Sequence, residues 1–476
     1  MTNCTFTSVF MTFTLSAVGC SLIQENAYAA SASPLESARP SRPGPPRYVE
    51  NYSFLSDPAK RTDIFDPIRF VQLGDSSRFQ FGGALRYKYE SVDNPAFGLR
   101  GVEHDEYLQQ RIQVYGSLHL FDDKLRAFVE LQDTSSMGKE MFSPYDESDT
   151  EIHQAFIDAK LVSGADGTLS ARLGRQEMAY GEQVLVTVRE VPNVRLTFDG
   201  LRLSFSSRNG YKLDAFAVRP VTNIRPESFN DSSTDSGEFY GIYATAPAGK
   251  KFGIDIYGMG YLRDNRILNG SAGEEERYTV GTRLFKKGAG FNYTADFMYQ
   301  FGEHEHADIR AWGVSSFTGY AFNGAPWQPN FGLRIDAASG DENRNDGESN
   351  TFDPLFPANG KLYGNGSLIT LSNVAMAGPE FTLSPRNNFM LSSNVLMLWR
   401  ESEDDAAYMP GLAQVPGTAN IDGKRLGTSY RAFARWMPTT NFTMDLEYQY
   451  YDVAGVLKDA GAENVSYASV RGYFMF

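Results

Sequence analysis

The chain has 476 residues, a formal net charge of −14 and 21% charged residues, a length that allows two or three soluble domains or one large barrel. Beyond the N-terminus it contains no run of about 20 apolar residues, which excludes spanning a membrane by helices. Aromatic residues reach 13%, with 34 Phe and 26 Tyr, and this enrichment points to rings that face lipid or line its two interfaces.

Residues 1–29 read as a secretion signal: a short apolar stretch in TSVFMTFTLSAVGCSLIQENAYAA followed by Ala27-Tyr28-Ala29 as the cleavage site. The n-region has no Lys or Arg, and Ala17-Val18-Gly19-Cys20 is the alternative reading, a lipoprotein box. Both cysteines, Cys4 and Cys20, lie in this leader. Cleavage after Ala29 would leave no disulfide or thiol chemistry, as suits a protein that crosses the periplasm unfolded. Residues 30–76, opening SASPLESARPSRPGPPRY, are rich in Pro and Ser without a sustained period and read as a periplasmic segment or linker.

From residue 77 to 476 the text changes. RFQFGGALRYKYE places Phe79, Phe81, Leu85, Tyr87 and Tyr89 on one face and Arg78, Gln80, Arg86, Lys88 and Glu90 on the other, the period of a two-faced strand. The pattern returns in RIQVYGSLHL, LRAFVELQ, AFIDAKL, TLSARLG, GLRLSF, YKLDAFAV, EFYGIYATA, GIDIYGMGYL, RYTVGTRLF, FNYTADFMYQF, AWGVSSFTGYAF, FGLRIDAA, near LITLSNVAM, and in NVLMLWRE, LGTSYRAFARW, FTMDLEYQYY and SYASVRGYFMF. Tight turns at 121–124, 164–167, 207–210, 286–290 and 438–440 alternate with long polar loops at 133–149, 222–236, 264–275, 341–366 and 401–423. The fold class predicted is all-β: a single antiparallel transmembrane barrel of about 18 strands, with short periplasmic turns and long extracellular loops. Closure pairs every backbone group in the hydrocarbon, and the apolar face meets outer-membrane lipid.

The other face is then the lumen. The register turns inward Arg78, Arg86, Lys88, Arg111, Arg126, Lys160, Arg172, Arg202, Arg277, Arg283, Arg334, Arg425, Arg431, Arg435 and Arg471. Fewer acids follow: Glu90, Glu130, Asp158, Asp214, Asp255, Asp296, Asp336, Asp445 and Glu447. A positive lumen attracts anions, and the Arg fork suits carboxylates. Cross-strand neutralisation of these charges is the plainer reading of each pair. The candidate pore-lining set is Arg86, Arg111, Arg126, Arg172, Arg202, Arg283, Arg334, Asp336, Arg425, Arg431, Arg435, Arg471, Glu130, Asp445 and Glu447, and neutralising Arg334, Arg425 and Arg431 together is expected to lower anion selectivity.

ARLGRQEMAYGEQ, VRLTFDGLRLSF and SGDENRNDGESNTFDPLFPANGKLYGNG resemble the alginate export family of outer-membrane porins, and the likeness runs from about Arg78 to Phe476. Its shared pattern covers Arg172-Leu173-Gly174-Arg175-Gln176, Phe198-Asp199-Gly200-Leu201-Arg202, and Leu355-Phe356-Pro357 with Tyr363-Gly364. The resemblance implies a monomeric eighteen-strand barrel with an Arg-rich constriction. It also implies outward passage of an anionic uronic acid polymer beside a periplasmic tetratricopeptide-repeat scaffold and an inner-membrane polymerase. The ending SVRGYFMF resembles the recognition signal of the outer-membrane assembly machinery.

His304-Glu305-His306 has no third ligand nearby and is assigned no zinc. Asp341, Asn343 and Asn345 approximate the oxygen spacing of a calcium loop, with Gly one place late and no Glu at the twelfth position. No Gly-x-Ser-x-Gly or histidine partnership suggests an enzyme, and no nucleic-acid partner is expected. Two functions stay open: export of an alginate-like polysaccharide, or uptake of small anionic nutrients such as sugar acids.

Overall fold

The computed structural model describes residues 46–476 apart from 226, 234–236, 250, 269, 270, 345 and 367. The signal peptide and residues 30–45 of the Pro- and Ser-rich segment lie outside the described residues.

Eighteen strands form one closed antiparallel ring. In chain order they are β1 (Arg78–Asp93), β2 (His104–Leu120), β3 (Leu125–Met137), β4 (Ser148–Ser163), β5 (Gly167–Gln176), β6 (Phe198–Ser207), β7 (Lys212–Pro220), β8 (Glu238–Pro247) and β9 (Phe252–Leu268). There follow β10 (Ser271–Lys286), β11 (Gly290–His304), β12 (Ala307–Ala321), β13 (Asn330–Ala338), β14 (Val374–Arg386), β15 (Phe389–Trp399), β16 (Arg425–Trp436), β17 (Phe442–Val453) and β18 (Val465–Met475). The ring shuts where β1 pairs with β18, from Ala84 opposite Met475 to Asp93 opposite Ser466.

The two faces sort as the alternation requires. Along FNYTADFMYQF the odd residues Phe291, Phe297, Tyr299 and Phe301 are exposed on the outer surface, while Asn292, Asp296, Met298 and Gln300 are buried inside. Leu173, Ile157, Ile242 and Ile256 are likewise open on the outside, a wall only hydrocarbon can cover. Trp436 and Tyr320 stand near the turn end and Trp312 and Tyr89 toward the loop end, where aromatic rings meet both interfaces.

Two sequence readings change. The segment 264–275 is mostly strand, because β9 runs to Leu268 and β10 starts at Ser271. The strand placed near LITLSNVAM begins only at Val374; its first residues are drawn inside the barrel, where Ile369 and Leu371 are buried.

β5 to β8 span only nine or ten residues each, whereas β9 to β12 span fifteen to seventeen. The low part of the rim holds the Gly174–Gly200 register pair. Both glycines have positive φ, and a Cβ would meet a backbone oxygen at 2.2 Å (Ala155) or 2.3 Å (Ala217). This close approach explains why glycine stands in both of those motifs.

Candidate functional site

The lumen is filled by segments that leave the ring and fold inward. The first, 177–197, joins β5 to β6 and carries an apolar series, Val184, Leu185, Val186, Val188, Val194 and Leu196, all buried. The second, 339–373, joins β13 to β14 and includes a short helix, α1 (Asn359–Tyr363). They meet in a seam: Val186 bridges Phe356, the amide of Phe356 donates to Leu185 O at 2.8 Å and that of Ala358 to Gln183 O at 3.0 Å. Lys361 Nζ stands 3.4 Å from Glu182 Oε2.

That last pair has a pH signature. Burial pushes the Glu182 carboxyl up, but Lys361 and Arg283 pull it further the other way, to about 2. A depressed carboxyl stabilises the seam above the ordinary carboxylate range, and the contribution is lost as pH falls. Current fluctuations are therefore expected to increase between about pH 4.5 and pH 2, and a Glu182→Gln channel is expected to show no such step.

The predicted basic residues divide by what they hold. Arg86 and Arg111 are sealed by the first inserted segment. Arg86 donates to Glu190 O at 2.7 Å and Asn193 Oδ1 at 2.7 Å. Arg111 donates to Asn193 O at 3.0 Å, Glu190 O at 2.9 Å and Pro192 O at 3.0 Å. These two guanidiniums hold a loop in place and are not open to a passing solute, a correction to reading every inward Arg as exposed wall. Asn193 completes the attachment, donating to the carbonyls of Gln110, Ser135 and Asp146.

Elsewhere the wall is built from shared carboxylates. Asp158 takes both Arg126 at 3.0 Å and Arg172 at 2.7 Å. Asp445 takes Arg435 at 2.7 Å and Arg471 at 3.1 Å. At each of these sites two guanidiniums share one carboxylate. Arg202 pairs with Asp214 at 2.8 Å, and Arg431 with Glu447 at 2.8 Å. The sign reverses at Arg334, which is held by Glu380 at 2.5 Å and Asp336 at 3.5 Å, whereas Arg283 is held by Asp255 and by Glu182 at 3.0 Å, the carboxylate that Lys361 also meets. Glu130 is buried inside the wall and accepts from Gln113 Nε2 at 2.9 Å.

Arg425 is misplaced by the sequence reading. A bulge puts Leu398 opposite Gly427 but Trp399 opposite Arg425, which shifts the alternation by one. Arg425 lies 4.9 Å from the Trp399 ring centroid and bonds Thr428 Oγ1 at 2.6 Å, on the outer face at the loop-end rim. Neutralising Arg334, Arg425 and Arg431 together would therefore remove an outward residue, a partner of Glu447 and a site already outnumbered by acids.

The N-terminal segment is a lumen element too. Tyr48 meets the stacked rings of Phe128 and Phe156 edge-on, with ring centroids at 6.3 and 5.4 Å, and the Arg172 guanidinium lies 3.8 Å over its ring. Its hydroxyl donates to Glu177 O at 3.1 Å, and its carbonyl accepts from Arg126 at 2.7 Å. Arg47 pairs with Glu50 at 2.7 Å, and Glu50 accepts from Tyr115 at 2.8 Å. No period shows in the sequence here because the segment is built of single helical turns, Arg47–Val49, Ser53–Ser56, Pro58–Lys60 and Asp66–Arg69, each too short for one; its Tyr, Arg and Glu were the available signal.

Three places bear on metal binding, the first of them not singled out from the sequence. Glu130, His153 and Glu177 lie together, their ligand atoms within 4.8 Å, but both Glu177 oxygens already accept from Arg195, at 2.6 and 3.0 Å. His304 Nε2 is 3.1 Å from Arg266 O. In the calcium-like stretch, Asp341 Oδ1 accepts from the Asn343 amide at 3.1 Å, and Asn345 lies outside the described residues.

Comparison with known proteins agrees with this geometry. Solved barrels of similar fold include OccD3 (OpdP) of Pseudomonas aeruginosa, 12% identical with a TM-score of 0.55, covering 83% of this chain and 91% of that one. OccAB3 of Acinetobacter baumannii is 11% identical with a TM-score of 0.57, covering 84% and 99%. OpdK of Pseudomonas aeruginosa, solved with vanillate, is 9% identical with a TM-score of 0.57, covering 84% and 98%. A search of curated protein sequences finds no match. Residues 77–471 match the family described as Alginate export, and the chain, an outer-membrane β-barrel of the channel type, belongs to that family.

Proposed function

We propose that the barrel is an anion-selective channel whose cargo is a small carboxylate solute, with sugar acids the leading class, admitted one molecule at a time. The observation that carries this reading is the recurrent sharing of one carboxylate by two guanidiniums, at Asp158 and at Asp445. Each shared site sets two guanidiniums on one carboxylate and so concentrates positive charge on the wall while holding the side chains in fixed geometry. In a wet pore one close charge pair is worth roughly 1 kcal/mol, weak enough for a solute to leave again. Size is supported by the seam between the inserted segments, which divides the lumen with backbone hydrogen bonds.

Export of an anionic polysaccharide is the second reading, favoured by the family match. It requires the seam and the N-terminal segment to part together, since a polymer cannot pass piecewise.

Reversal potentials in planar bilayers test the first claim. The Arg172→Gln/Arg435→Gln channel is expected to lose most of its preference for chloride over potassium, and the Arg334→Gln channel to keep it. Equal behaviour of the two would remove the shared carboxylates from the explanation. A deletion strain separates the cargoes: poor growth on a sugar acid supports uptake, whereas loss of secreted polymer with synthesis intact supports export.

A further inference from the structure

We infer that Arg189, Arg263 and Arg266 form an anion-recognition site at the seam between the inserted segments, and that its ligand class is a carboxylate carried on a ring. The inference rests on the channel reading above and locates where along the path the charge of the solute is read. None of these three residues belongs to the wall predicted from sequence, since Arg263 and Arg266 bordered a presumed loop and Arg189 lies in an inserted segment.

The first observation is a charge imbalance. Three guanidiniums, of Arg263, Arg266 and Arg277, gather around two carboxylates, of Glu275 and Asp353, and Arg189 stands across the neighbouring Phe356 ring. Arg277 is sealed beneath the site, where it pairs with Glu275 and donates to Gln300 Oε1 at 2.8 Å. Arg263 reaches Glu275 at 2.6 Å and Asp353 at 2.8 Å. Arg266 stands 3.4 Å from Asp353 and 3.8 Å from Glu275. Arg189 has no carboxylate partner among the described residues, so two positive charges stay unmatched. The Nε atoms of Arg263 and Arg266 are buried without an acceptor, so the two carboxylates leave these guanidiniums incompletely satisfied.

The second observation is the shape of the surface between these groups. Arg189 lies 6.0 Å from the Phe356 ring centroid and Arg263 lies 4.6 Å from that of Tyr261. The two rings are neighbours at 5.2 Å, with Phe239 behind them at 5.1 Å from Phe356. Guanidiniums at both ends of an aromatic patch suit a solute with a flat or chair-like ring and a carboxylate at its edge.

The third observation is that Arg189 is held in place at a cost. Its φ is +54°, a left-handed conformation that disfavours a residue with a Cβ. The next residue is gripped through its carbonyl by Arg86 and Arg111, and this grip keeps the strained turn in place. The guanidinium stacks on Tyr145 at 4.7 Å, and its charge lowers the phenol's pKa. Strain maintained by surrounding structure is what a preorganised site requires.

Block of ion current by D-galacturonate tests the site, with uncharged galactose as the control. The Arg189→Gln/Arg266→Gln channel is expected to need about tenfold more galacturonate for half-block, or more, as befits the loss of charge-assisted contacts. The Arg189→Lys/Arg266→Lys channel is expected to keep its anion selectivity but recover little of the block, because a point charge lacks the fork. Arg310→Gln, exposed on the outer surface beside Glu348, is expected to change neither. Folding is checked by heat-modifiable gel mobility, and if the double variant fails to fold, Arg189→Gln alone, on a loop, is held to the same outcomes. Unchanged block in a channel that is still anion-selective would overturn the site and leave the channel reading standing, as would equal block of the wild type by galactose. A wild-type channel with no anion preference would overturn the channel reading itself.

Discussion

A chain lacking residues 46–57 is expected to conduct severalfold more current than the full chain, the largest functional change foreseen for this barrel. These residues occupy the turn end of the lumen, where Tyr48 fills the space between Phe128, Phe156 and the Arg172 guanidinium. While Tyr48 is seated, Arg126 is occupied by its carbonyl and Arg172 is covered by its ring, so a solute feels the shared site at Asp158 through its field and not by direct contact. Removing the segment would both widen the path and expose two cations, so anion preference should rise along with conductance. Tyr48→Ala should give a smaller shift in the same direction, because Arg47 keeps its bonds to Glu50 and to Gly83 O, at 2.7 and 3.1 Å. Single-channel recording at neutral pH decides the matter; equal conductance of the shortened and full chains would mean that the segment lies outside the path in the membrane.

Arg111→Ala is expected to release the first inserted segment from the wall while the ring itself still assembles. The guanidinium is buried and donates to three backbone carbonyls, with Glu190 beside it at 3.2 Å. Removing one partner of a buried charge pair costs about 3–5 kcal/mol, and the carbonyls left without a donor add to it. Lysine should not rescue, because one ammonium cannot satisfy three carbonyls set in different directions. Release is read by limited trypsin digestion in detergent, with a new cut after Arg189 expected in Arg111→Ala and absent from the wild type. An unchanged digestion pattern would show that Asn193 and Arg86 hold the segment without help.

The ring was legible because a barrel strand satisfies two solvents at once and so alternates in sequence, as FNYTADFMYQF and RFQFGGALRYKYE do. Three things were not legible, each for a local reason. Arg425 slipped to the outer face because the bulge at Leu426 adds a residue without disturbing composition. The segment 177–197 was passed over because QVLVTVREVPNVRLT is as apolar as a strand, and only the partner offered by Phe356 settles where it lies. Arg266 was assigned to a loop, with Arg263 at its border, because DNRILNGSAGEEE is polar, although a strand rising above the hydrocarbon has no lipid to face. The pairing of charges was the least accessible feature: sequence supplies the inward Arg and Asp, but only the register shows that Asp158 and Asp445 each serve two guanidiniums and Arg334 meets two acids.

Gly83 carries a consequence for biogenesis. Its amide and carbonyl exchange hydrogen bonds with Phe476, both at 3.0 Å, and the same carbonyl accepts from Arg47 at 3.1 Å. The fastener between the earliest and latest strands is thus shared with the stretch threaded through the middle. Closing the cylinder and stowing the N-terminal arm therefore converge on one carbonyl, so each stabilises the other.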